Sequence, residues 1–182
     1  MIQDVVLEVH EILEVKAIRH AFGGALALDQ YAEPRGTIDV DVNVAVAFED
    51  AASLVATFGS AGFVASDSPA EWLVLAGVRL TRNLDTLDLF FAFDSIHELI
   101  LSDAQLHPFK VDGKTYDLPF LTANDLVVMK LSFNRLKDWA DIESIVFSGN
   151  AINIDLIEER LVKFRGPTMY PRVARLRKIC ER

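Results

Sequence analysis

Two aspartates one residue apart, Asp39 and Asp41, are the residues of this 182-residue sequence best placed to do chemistry. They lie in a segment, Thr37–Phe48, whose first residues alternate between polar and apolar types. Alternation with a period of two predicts a β-strand that carries Asp39, Asp41 and Asn43 on one face. The strand offers these two carboxylates no lysine or arginine partner. Because oxygen ligands suit magnesium, the pair indicates a site for a divalent cation.

Two further features could act with this pair. Gly23 and Gly24 lie between a predicted strand and a predicted helix, where backbone N–H groups can approach a phosphate. Asp88 lies in the apolar segment TLDLFF, where an acid costs free energy unless it is paired or binds a cation. Each feature also has a plainer explanation. Two glycines often serve turn geometry alone, paired acids mark exposed edge strands, and single acids occur at strand ends.

The elements that must position these residues follow from local periodicity. Asp112-Gly113 favours a type I′ turn within a hairpin over Phe109–Tyr116. We expect a mixed α/β core over residues 1–120 and a helical part over residues 121–182 packed on it. The remaining predicted elements of the core are helices over Ile2–Lys16, Ala25–Tyr31, Glu49–Ala61 and Ser95–Leu101, and strands over Ala17–Phe22, Phe63–Ala65, Trp72–Leu80 and Thr86–Phe93.

Composition limits the class of protein. The formal net charge is −9, from 27 acids against 18 bases, which argues against a broad nonspecific nucleic-acid surface but not against a local basic patch. The single cysteine, Cys180, excludes an internal disulfide and fits a reducing compartment. No signal peptide and no apolar run long enough to span a bilayer is evident, so we expect a cytoplasmic protein without a membrane partner. The four histidines are scattered without metal-ligand spacing and are left out of the predicted site: His10, His20, His97 and His107.

Taken together, these motifs resemble the nucleotidyltransferase superfamily that includes polymerase-beta-like enzymes. Its signature is an apolar strand, Gly-Gly or Gly-Ser, a helix, an Asp-x-Asp strand and a third acid on a later strand. AFGGALALDQYAEPRGTIDVDV (21–42) followed by LDLFF (87–91) is similar to that pattern. The Arg35-x-Thr37-x-Asp39-x-Asp41 spacing resembles abortive-infection toxin-type (AbiEii-like) and related small nucleotidyltransferases.

The resemblance continues into the helical part. LTANDLVVMKL (121–131) is similar to the family helix that carries a lysine, and RLKDWADI (135–142) to an Arg-x-Lys-Asp-x-x-Asp-Ile segment. The resemblance spans about residues 18–147 and implies an α+β, polymerase-beta-like fold. In that fold a mixed β-sheet has flanking helices and a C-terminal helical part.

The resemblance also implies an activity, the Mg²⁺-dependent transfer of a nucleoside monophosphate from an NTP to an acceptor hydroxyl. The acceptor would be an RNA end, a protein or a small molecule, and the chain could be a toxin with a cognate antitoxin. Asp39, Asp41 and Asp88 would hold Mg²⁺, Asp88 would take the proton from the acceptor, and Lys130 would neutralise triphosphate charge. The predicted nucleotide-binding residues are Gly23, Gly24, Arg35, Thr37, Lys130 and Asp138.

Several interpretations stay open at this point. Gly24 stands where many transferases have serine, which removes one hydroxyl contact to phosphate. On a continuous helix, one face would carry Lys130, Asn134, Lys137, Asp138 and Asp141, and that face is either functional or a solvated, salt-bridged surface. Asp138 and Asp141 either orient Lys130 or the acceptor, or form ion pairs with Arg135 or Lys137. The alternative function is a catalytically inactive nucleotide-binding or partner-binding module with the same fold.

Overall fold

The chain is divided into two compact units in the computed structural model, which describes residues 1–69, 71–72, 77–92 and 95–182. The first unit comprises Met1–Leu26 and Gly36–Leu121, and the second comprises Ala27–Arg35 and Thr122–Arg182. Within the described ranges, none of the helices combines the length and apolar character needed to cross a lipid bilayer.

A seven-stranded mixed sheet is the centre of the first unit, with the strand order β3-β4-β5-β2-β1-β7-β6. Strand β2 runs parallel to β5 and antiparallel to β1, and β1 runs parallel to β7. The other neighbouring pairs are antiparallel. The strands are β1 His20–Phe22, β2 Asp39–Val44, β3 Val64–Ala65, β4 Gly77–Arg82, β5 Asp85–Phe91, β6 Gln105–Val111 and β7 Lys114–Phe120.

The central strands β2 and β5 have one buried apolar face. Val40, Val42 and Val44 are at most 1% exposed, and their neighbours on β5, Leu87 and Leu89, are fully buried. Because side chains alternate along a strand, the acidic residues of both strands lie on the opposite face. The hydrophobic alternation therefore selects which face of the sheet carries the polar groups.

Helices accompany the sheet in the first unit. Helix α1 buries Val5, Val6, Val9 and Leu13 along one stripe, contacts β2 and β6, and ends before Ala17, whose φ is 53°. Helix α2 begins in the first unit and ends in the second. These helices are α1 Ile2–Val15, α2 Gly24–Leu28, α3 Ala51–Ser60, which follows a 3-10 turn at Phe48–Asp50, and α4 Ser95–Ser102.

The second unit is helical. Its helices are α5 Ala123–Phe133, α6 Leu136–Phe147, α7 Ile154–Arg165 and α8 Tyr170–Cys180, the last preceded by a 3-10 turn at Pro167–Met169. The Thr122 hydroxyl accepts the N–H of Asp125 at 3.1 Å and caps α5. Buried residues of all four helices, such as Val128, Ile142 and Leu161, form its core.

The helical segment that begins after Thr122 is interrupted at Asn134. Asn134 adopts a left-handed conformation with φ 58° and ends α5. Its side-chain oxygen accepts the indole N–H of Trp139 at 2.8 Å. Asparagine tolerates this backbone conformation better than most residues, so the break has a local cause. The continuous helix on which Lys130 and Lys137 would share a face is therefore not formed.

The predicted strand over Trp72–Leu80 is wrong at its start. Residues 71 and 72 are helical, and β4 begins at Gly77. The N–H and the hydroxyl of Ser68 donate to the Glu71 carboxylate at 2.8 and 2.7 Å, which is the reciprocal contact of a helix-starting capping box. Residues 73–76, and Phe93 at the end of the predicted strand Thr86–Phe93, lie outside the described ranges.

Two of the histidines are neighbours in the fold. The Nδ1 atom of His10 on α1 lies 2.9 Å from the Nε2 atom of His20 on β1. Burial lowers the pKa of His20, although a hydrogen bond to the Ile18 carbonyl partly opposes that effect. The expectation that all four histidines are scattered is wrong for this pair, because a turn between α1 and β1 brings the two rings together.

Candidate functional site

The acidic face of the sheet brings Asp41 and Asp88 to adjacent positions. These residues are direct partners in the parallel pairing of β2 with β5, and Asp39 lies two residues before Asp41 on the same face. Neighbouring strands lie about 4.8 Å apart, and residues two apart on a strand about 7 Å. The three carboxylates that the sequence predicts as metal ligands therefore lie on one small area of the sheet.

A fourth charged group, Arg79, was not predicted from the sequence. Arg79 is the antiparallel partner of Asp88 on β4, and its Nε and Nη2 atoms donate to the two Asp88 oxygens at 2.8 and 2.7 Å. The Asp88 carboxylate raises the pKa of Arg79 through these bonds and its charge, with smaller contributions from Asp39 and Asp41. Opposite charges at facing positions of two strands are a common cross-strand pair, so the alternation in GVRLTR (77–82) was a usable signal.

Gly23 and Gly24 lie next to Asp41, on the side opposite Asp88. The backbone N–H of Gly23 donates to the Asp41 carbonyl at 2.8 Å, so it extends the pairing of β1 with β2. Gly24 has φ +56°, and a Cβ atom added there would lie 1.8 Å from Oδ2 and 2.5 Å from Cγ of Asp41. Only glycine leaves room for the Asp41 carboxylate in this position, so the close packing depends on the missing side chain. A serine at this position would displace the Asp41 side chain in the same way.

We call the aligned positions Arg79, Asp88, Asp41 and Gly23 the acidic row. They lie on four neighbouring strands or strand ends, in the order β4, β5, β2 and β1. The acidic row has two carboxylates and one guanidinium, and Asp39 adds a third carboxylate beside it. The local formal charge is therefore negative, from three acids and one base.

Asn43 lies on the same face of β2 as Asp39 and Asp41, but it is buried. It is 3% exposed, and its side-chain oxygen is buried without a hydrogen-bond partner among the described residues. Its amide nitrogen approaches the Ala21 carbonyl at 3.5 Å, which is long for a hydrogen bond. The alternation of polar residues on β2 predicts its face, but not its burial.

Thr37 uses its side chain locally. Its hydroxyl accepts the Asp39 N–H and donates to the Asp39 carbonyl, both at 3.1 Å, just before β2. This contact fixes the backbone at the start of the strand. The nucleotide-binding role predicted for Thr37 stays a prediction.

Arg35 and Lys130 both donate hydrogen bonds to the carboxylate of Asp141 in the second unit. Arg35 donates to both oxygens of Asp141, at 2.9 and 3.0 Å, and Lys130 donates to Oδ2 at 2.6 Å. The Lys130 and Asp141 side chains are only 6% and 5% exposed. Burial raises the pKa of Asp141, but the hydrogen bonds and charges of Arg35 and Lys130 outweigh burial and bring it below its usual value. The predicted roles of Arg35 and Lys130 toward nucleotide stay predictions.

Asp138 has a different partner. It accepts the backbone N–H of Arg135 at 2.8 Å and the Arg135 guanidinium at 2.8 and 3.0 Å, at the first turn of α6. Of the two explanations that the sequence left open, the ion pair with Arg135 is present. The nucleotide-binding role predicted for Asp138 stays a prediction.

The acidic row and Asp39 have the donor chemistry of a magnesium site. Mg²⁺ prefers carboxylate oxygens and keeps several waters, which suits acids that are partly exposed on a sheet surface. A carboxylate offers about four lone-pair positions, so Asp88 can be held by Arg79 and still present lone pairs to a cation. The residues present therefore fit a magnesium ion.

Comparison with known proteins finds solved structures with a similar fold. No protein-family profile and no curated sequence matches the chain. Among solved structures, the chain is similar to ANT(2″)-Ia in complex with adenylyl-2″-tobramycin, at 13% identity and TM-score 0.61 over 91% of this chain and 98% of that one. It is also similar to an antigenic nucleotidyltransferase-like protein from Paracoccidioides brasiliensis, at 16% identity and TM-score 0.54 over 97% and 92% of the two chains.

A third similar structure is the lincosamide antibiotic adenylyltransferase LnuA bound to lincomycin, at 9% identity and TM-score 0.53 over 77% of this chain and 93% of that one. These likenesses show that the chain has the nucleotidyltransferase fold, an α+β architecture with a mixed sheet and flanking helices. The fold class predicted from the sequence is confirmed.

Proposed function

We propose that the chain is a nucleotidyltransferase that moves a nucleoside monophosphate from an NTP to a hydroxyl group of an acceptor. The observation that supports this most strongly is the register of β2 and β5, which sets Asp41 opposite Asp88 with Asp39 on the same face. Three acids gathered on a partly exposed area of a sheet have a strong electrostatic reason to bind a cation. The fold shared with nucleotidyltransferases gives the arrangement its context.

In this proposal Asp39, Asp41 and Asp88 hold Mg²⁺. When bound, Mg²⁺ supplies charge neutralisation and orientation for the triphosphate. Asp88 takes the proton of the acceptor hydroxyl at a carboxylate oxygen as the hydroxyl oxygen bonds to the α-phosphorus of the NTP. The bond between the α-phosphorus and the bridging oxygen to the β-phosphate breaks, and pyrophosphate leaves. Arg79 holds that carboxylate in one orientation through two hydrogen bonds, so Arg79 is a positioning residue.

For the acceptor we propose a hydroxyl-bearing small molecule, with antibiotics as the first class to test. Two of the similar structures contain adenylyl-2″-tobramycin and lincomycin. A net charge of −9 favours a cationic or neutral small molecule over a polyanion such as RNA. RNA ends and proteins are the other acceptor classes in the test.

The test is a label-transfer assay with the purified chain. Each of the four NTPs, labelled at the α-phosphate, is incubated with MgCl₂ and one acceptor class at a time: amino-sugar antibiotics, lincosamides, total RNA, or cell-extract protein. We expect transfer to one class, loss of at least about 100-fold in Asp41→Asn, and normal transfer in Asp117→Asn. Asp117 is a matched control, because it is an exposed acid on β7 of the same sheet.

Two results would contradict the proposal. One is the absence of label transfer to every acceptor class with every NTP. The other is equal transfer by wild type and Asp41→Asn, since the carboxylate would then have no part in the reaction.

A toxin with a cognate antitoxin is a narrower form of the same proposal. It requires that expression of the chain stops bacterial growth and that Asp41→Asn abolishes the arrest. Growth unaffected by the wild-type chain would exclude the toxin form and leave the transferase proposal intact.

The alternative is a catalytically inactive nucleotide-binding module. The observation that favours it is the bidentate contact of Arg79 with Asp88, because hydrogen bonds to both carboxylate oxygens leave fewer lone pairs to receive a proton from an acceptor. Tight NTP binding by calorimetry without turnover toward any acceptor would support this alternative.

A further inference from the structure

The turn between α1 and β1 brings two separated parts of the chain together. The N–H of Ala17 donates to the Glu14 carbonyl at 2.8 Å, and that of Ile18 donates to the Leu13 carbonyl at 2.9 Å. Ala17 takes a φ of 53°, a conformation that costs a non-glycine residue free energy. The turn directs the chain back along the end of α1, so that His20 at the start of β1 lies beside the helix.

Three metal-ligating side chains meet at this turn. His10 and Glu14 are four residues apart on α1 and therefore lie on one face of the helix. One ligand atom each of His10, Glu14 and His20 lies within 4.8 Å of the other two. The two closest ligand atoms, Nδ1 of His10 and Nε2 of His20, are 2.9 Å apart.

The other ring nitrogen of His20, Nδ1, already has a hydrogen-bond partner. It lies 2.9 Å from the carbonyl oxygen of Ile18. A carbonyl only accepts hydrogen bonds, so Nδ1 carries the proton and Nε2 of the neutral ring presents a lone pair toward His10. A backbone carbonyl that holds the distal N–H of a histidine is the usual outer support of a metal ligand.

The three residues differ in how far they are buried. His20 is 3% exposed, His10 is half-buried, and Glu14 is exposed. A cation in contact with all three would have one anchored imidazole, one adjustable imidazole and a carboxylate at the solvent boundary. Solvent would supply its remaining ligands.

We propose that His10, Glu14 and His20 form a binding site for one divalent transition-metal ion, with Zn²⁺ as the expected occupant. Two imidazoles and one carboxylate are a common zinc ligand set and select against Mg²⁺, which prefers oxygen. In tetrahedral coordination with Zn–N bonds near 2.0–2.1 Å, the two nitrogens would be about 3.4 Å apart. The present 2.9 Å therefore has to widen by about 0.5 Å, which the half-buried His10 can provide.

Such an ion would link the end of α1 to the first strand of the sheet. The ligands differ chemically from Asp39, Asp41 and Asp88. The two sites would therefore bind different cations. The proposal is independent of the transferase function, since it requires only the folded first unit.

The test is a metal titration of the chelator-treated chain, prepared without a histidine tag. Zn²⁺ is titrated by calorimetry in excess Mg²⁺, which saturates oxygen-only sites. Co²⁺ is titrated in parallel, because its absorption spectrum reports imidazole ligands. We expect one bound Zn²⁺ per chain, at least about tenfold weaker binding in His10→Ala and Glu14→Gln, and unchanged binding in Glu11→Gln and His107→Ala. Glu11 is an exposed acid on the same helix, and His107 is a histidine on β6.

Thermal unfolding provides a second measurement. Zn²⁺ should raise the unfolding temperature of the wild type and not that of His10→Ala, while both fold without metal. Two results would overturn the proposal. They are no Zn²⁺ binding by the wild type in excess Mg²⁺, and equal affinity of wild type and His10→Ala. Either would leave the two rings as a hydrogen-bonded pair that satisfies a buried histidine.

Discussion

At the scale of single residues, the position of the Asp41 carboxylate depends on the residue that packs against it, Gly24. The same carboxylate faces Asp88 across the strand pair, and Asp88 is held by Arg79. Each of these side chains is therefore positioned by a neighbour rather than by its own rotamer alone. Substitutions that leave all three acids in place can still disturb the site.

Gly24→Ala should strongly lower the proposed NMP transfer without removing any functional group. The new Cβ would lie 1.8 Å from the Asp41 Oδ2 atom and push the carboxylate away. A displacement of about 1 Å can lower catalysis about 100-fold, so we expect a loss of that order in kcat/KM for NMP transfer.

Gly149→Ala is the control for this substitution. Gly149 also has a positive φ, +81°, but a Cβ there would meet nothing within 4 Å. It reports the backbone strain alone, about 1–2 kcal/mol of the free energy of unfolding. Wild-type kcat/KM in Gly24→Ala would show that the contact with Asp41 does not matter for activity.

Arg79→Gln distinguishes a positioning role of Arg79 from a blocking one. If Arg79 orients Asp88, the substitution should lower kcat about tenfold and leave the KM for NTP nearly unchanged. The free energy of unfolding should change little, because the Arg79 side chain is 52% exposed and exposed ion pairs contribute weakly. A rise in kcat would instead show that Arg79 withholds Asp88 from the reaction.

At the scale of elements, the sequence predicted what depends on neighbouring residues in the chain. The alternation around Asp39 predicted the strand and its acidic face, and Asp112-Gly113, with φ values of 47° and 77°, forms the expected hairpin turn. The pairing of β2 with β5 did not follow from local periodicity, because it joins Asp41 to a residue 47 positions later. The family resemblance placed Asp88 in one site with Asp39 and Asp41. The contact of His10 with His20 depends on the turn at Ala17, which the sequence did not predict. The contact of Arg79 and the break at Asn134 each had a local signal that was missed.

In the helical elements, Asp141→Asn should destabilise the second unit strongly at neutral pH. It removes the charge partner of Lys130, whose side chain is only 6% exposed, and removing one partner of a buried pair costs about 3–5 kcal/mol. The measurement is urea unfolding of wild type and variant. Asp155→Asn is the control, because the Asp155 carboxylate is 88% exposed in its pair with Arg177.

The effect of Asp141→Asn should also depend on pH in a defined direction. The pKa of Asp141 is lowered from 3.8 in the folded protein, so the carboxylate stabilises the fold fully above that value. As the pH falls below 3.8 toward the folded pKa, wild type loses this contribution and the two proteins should become more alike. A difference that stays constant down to the pH of acid unfolding would mean that Asp141 is not the titrating group.

At the scale of the whole molecule, charge should influence which acceptors serve best in the proposed reaction. The chain has a formal net charge of −9, and the acidic row adds a local negative field near the proposed reaction. A negative surface attracts cations over about one Debye length, roughly 10 Å at 0.1 M salt. A cationic acceptor should therefore approach more easily than an anionic one.

The KM for a cationic acceptor should rise several-fold as salt increases from low concentration to about 0.3 M, because salt screens the attraction. A neutral acceptor of similar size serves as the control, and its KM should change little. A KM that is insensitive to salt for both acceptors would show that the charge of the chain does not contribute to binding.

The register that sets Asp41 opposite Asp88 also limits how the protein can change in evolution. A one-residue slip of β5 along β2 would set Leu87 or Leu89 opposite Asp41 and turn Asp88 toward the hydrophobic core. Insertions and deletions within these strands would thus remove the site in one step, whereas the connecting loops can change in length without moving it. Distant relatives that keep this site should vary in loop length and conserve the spacing of polar and apolar residues within both strands.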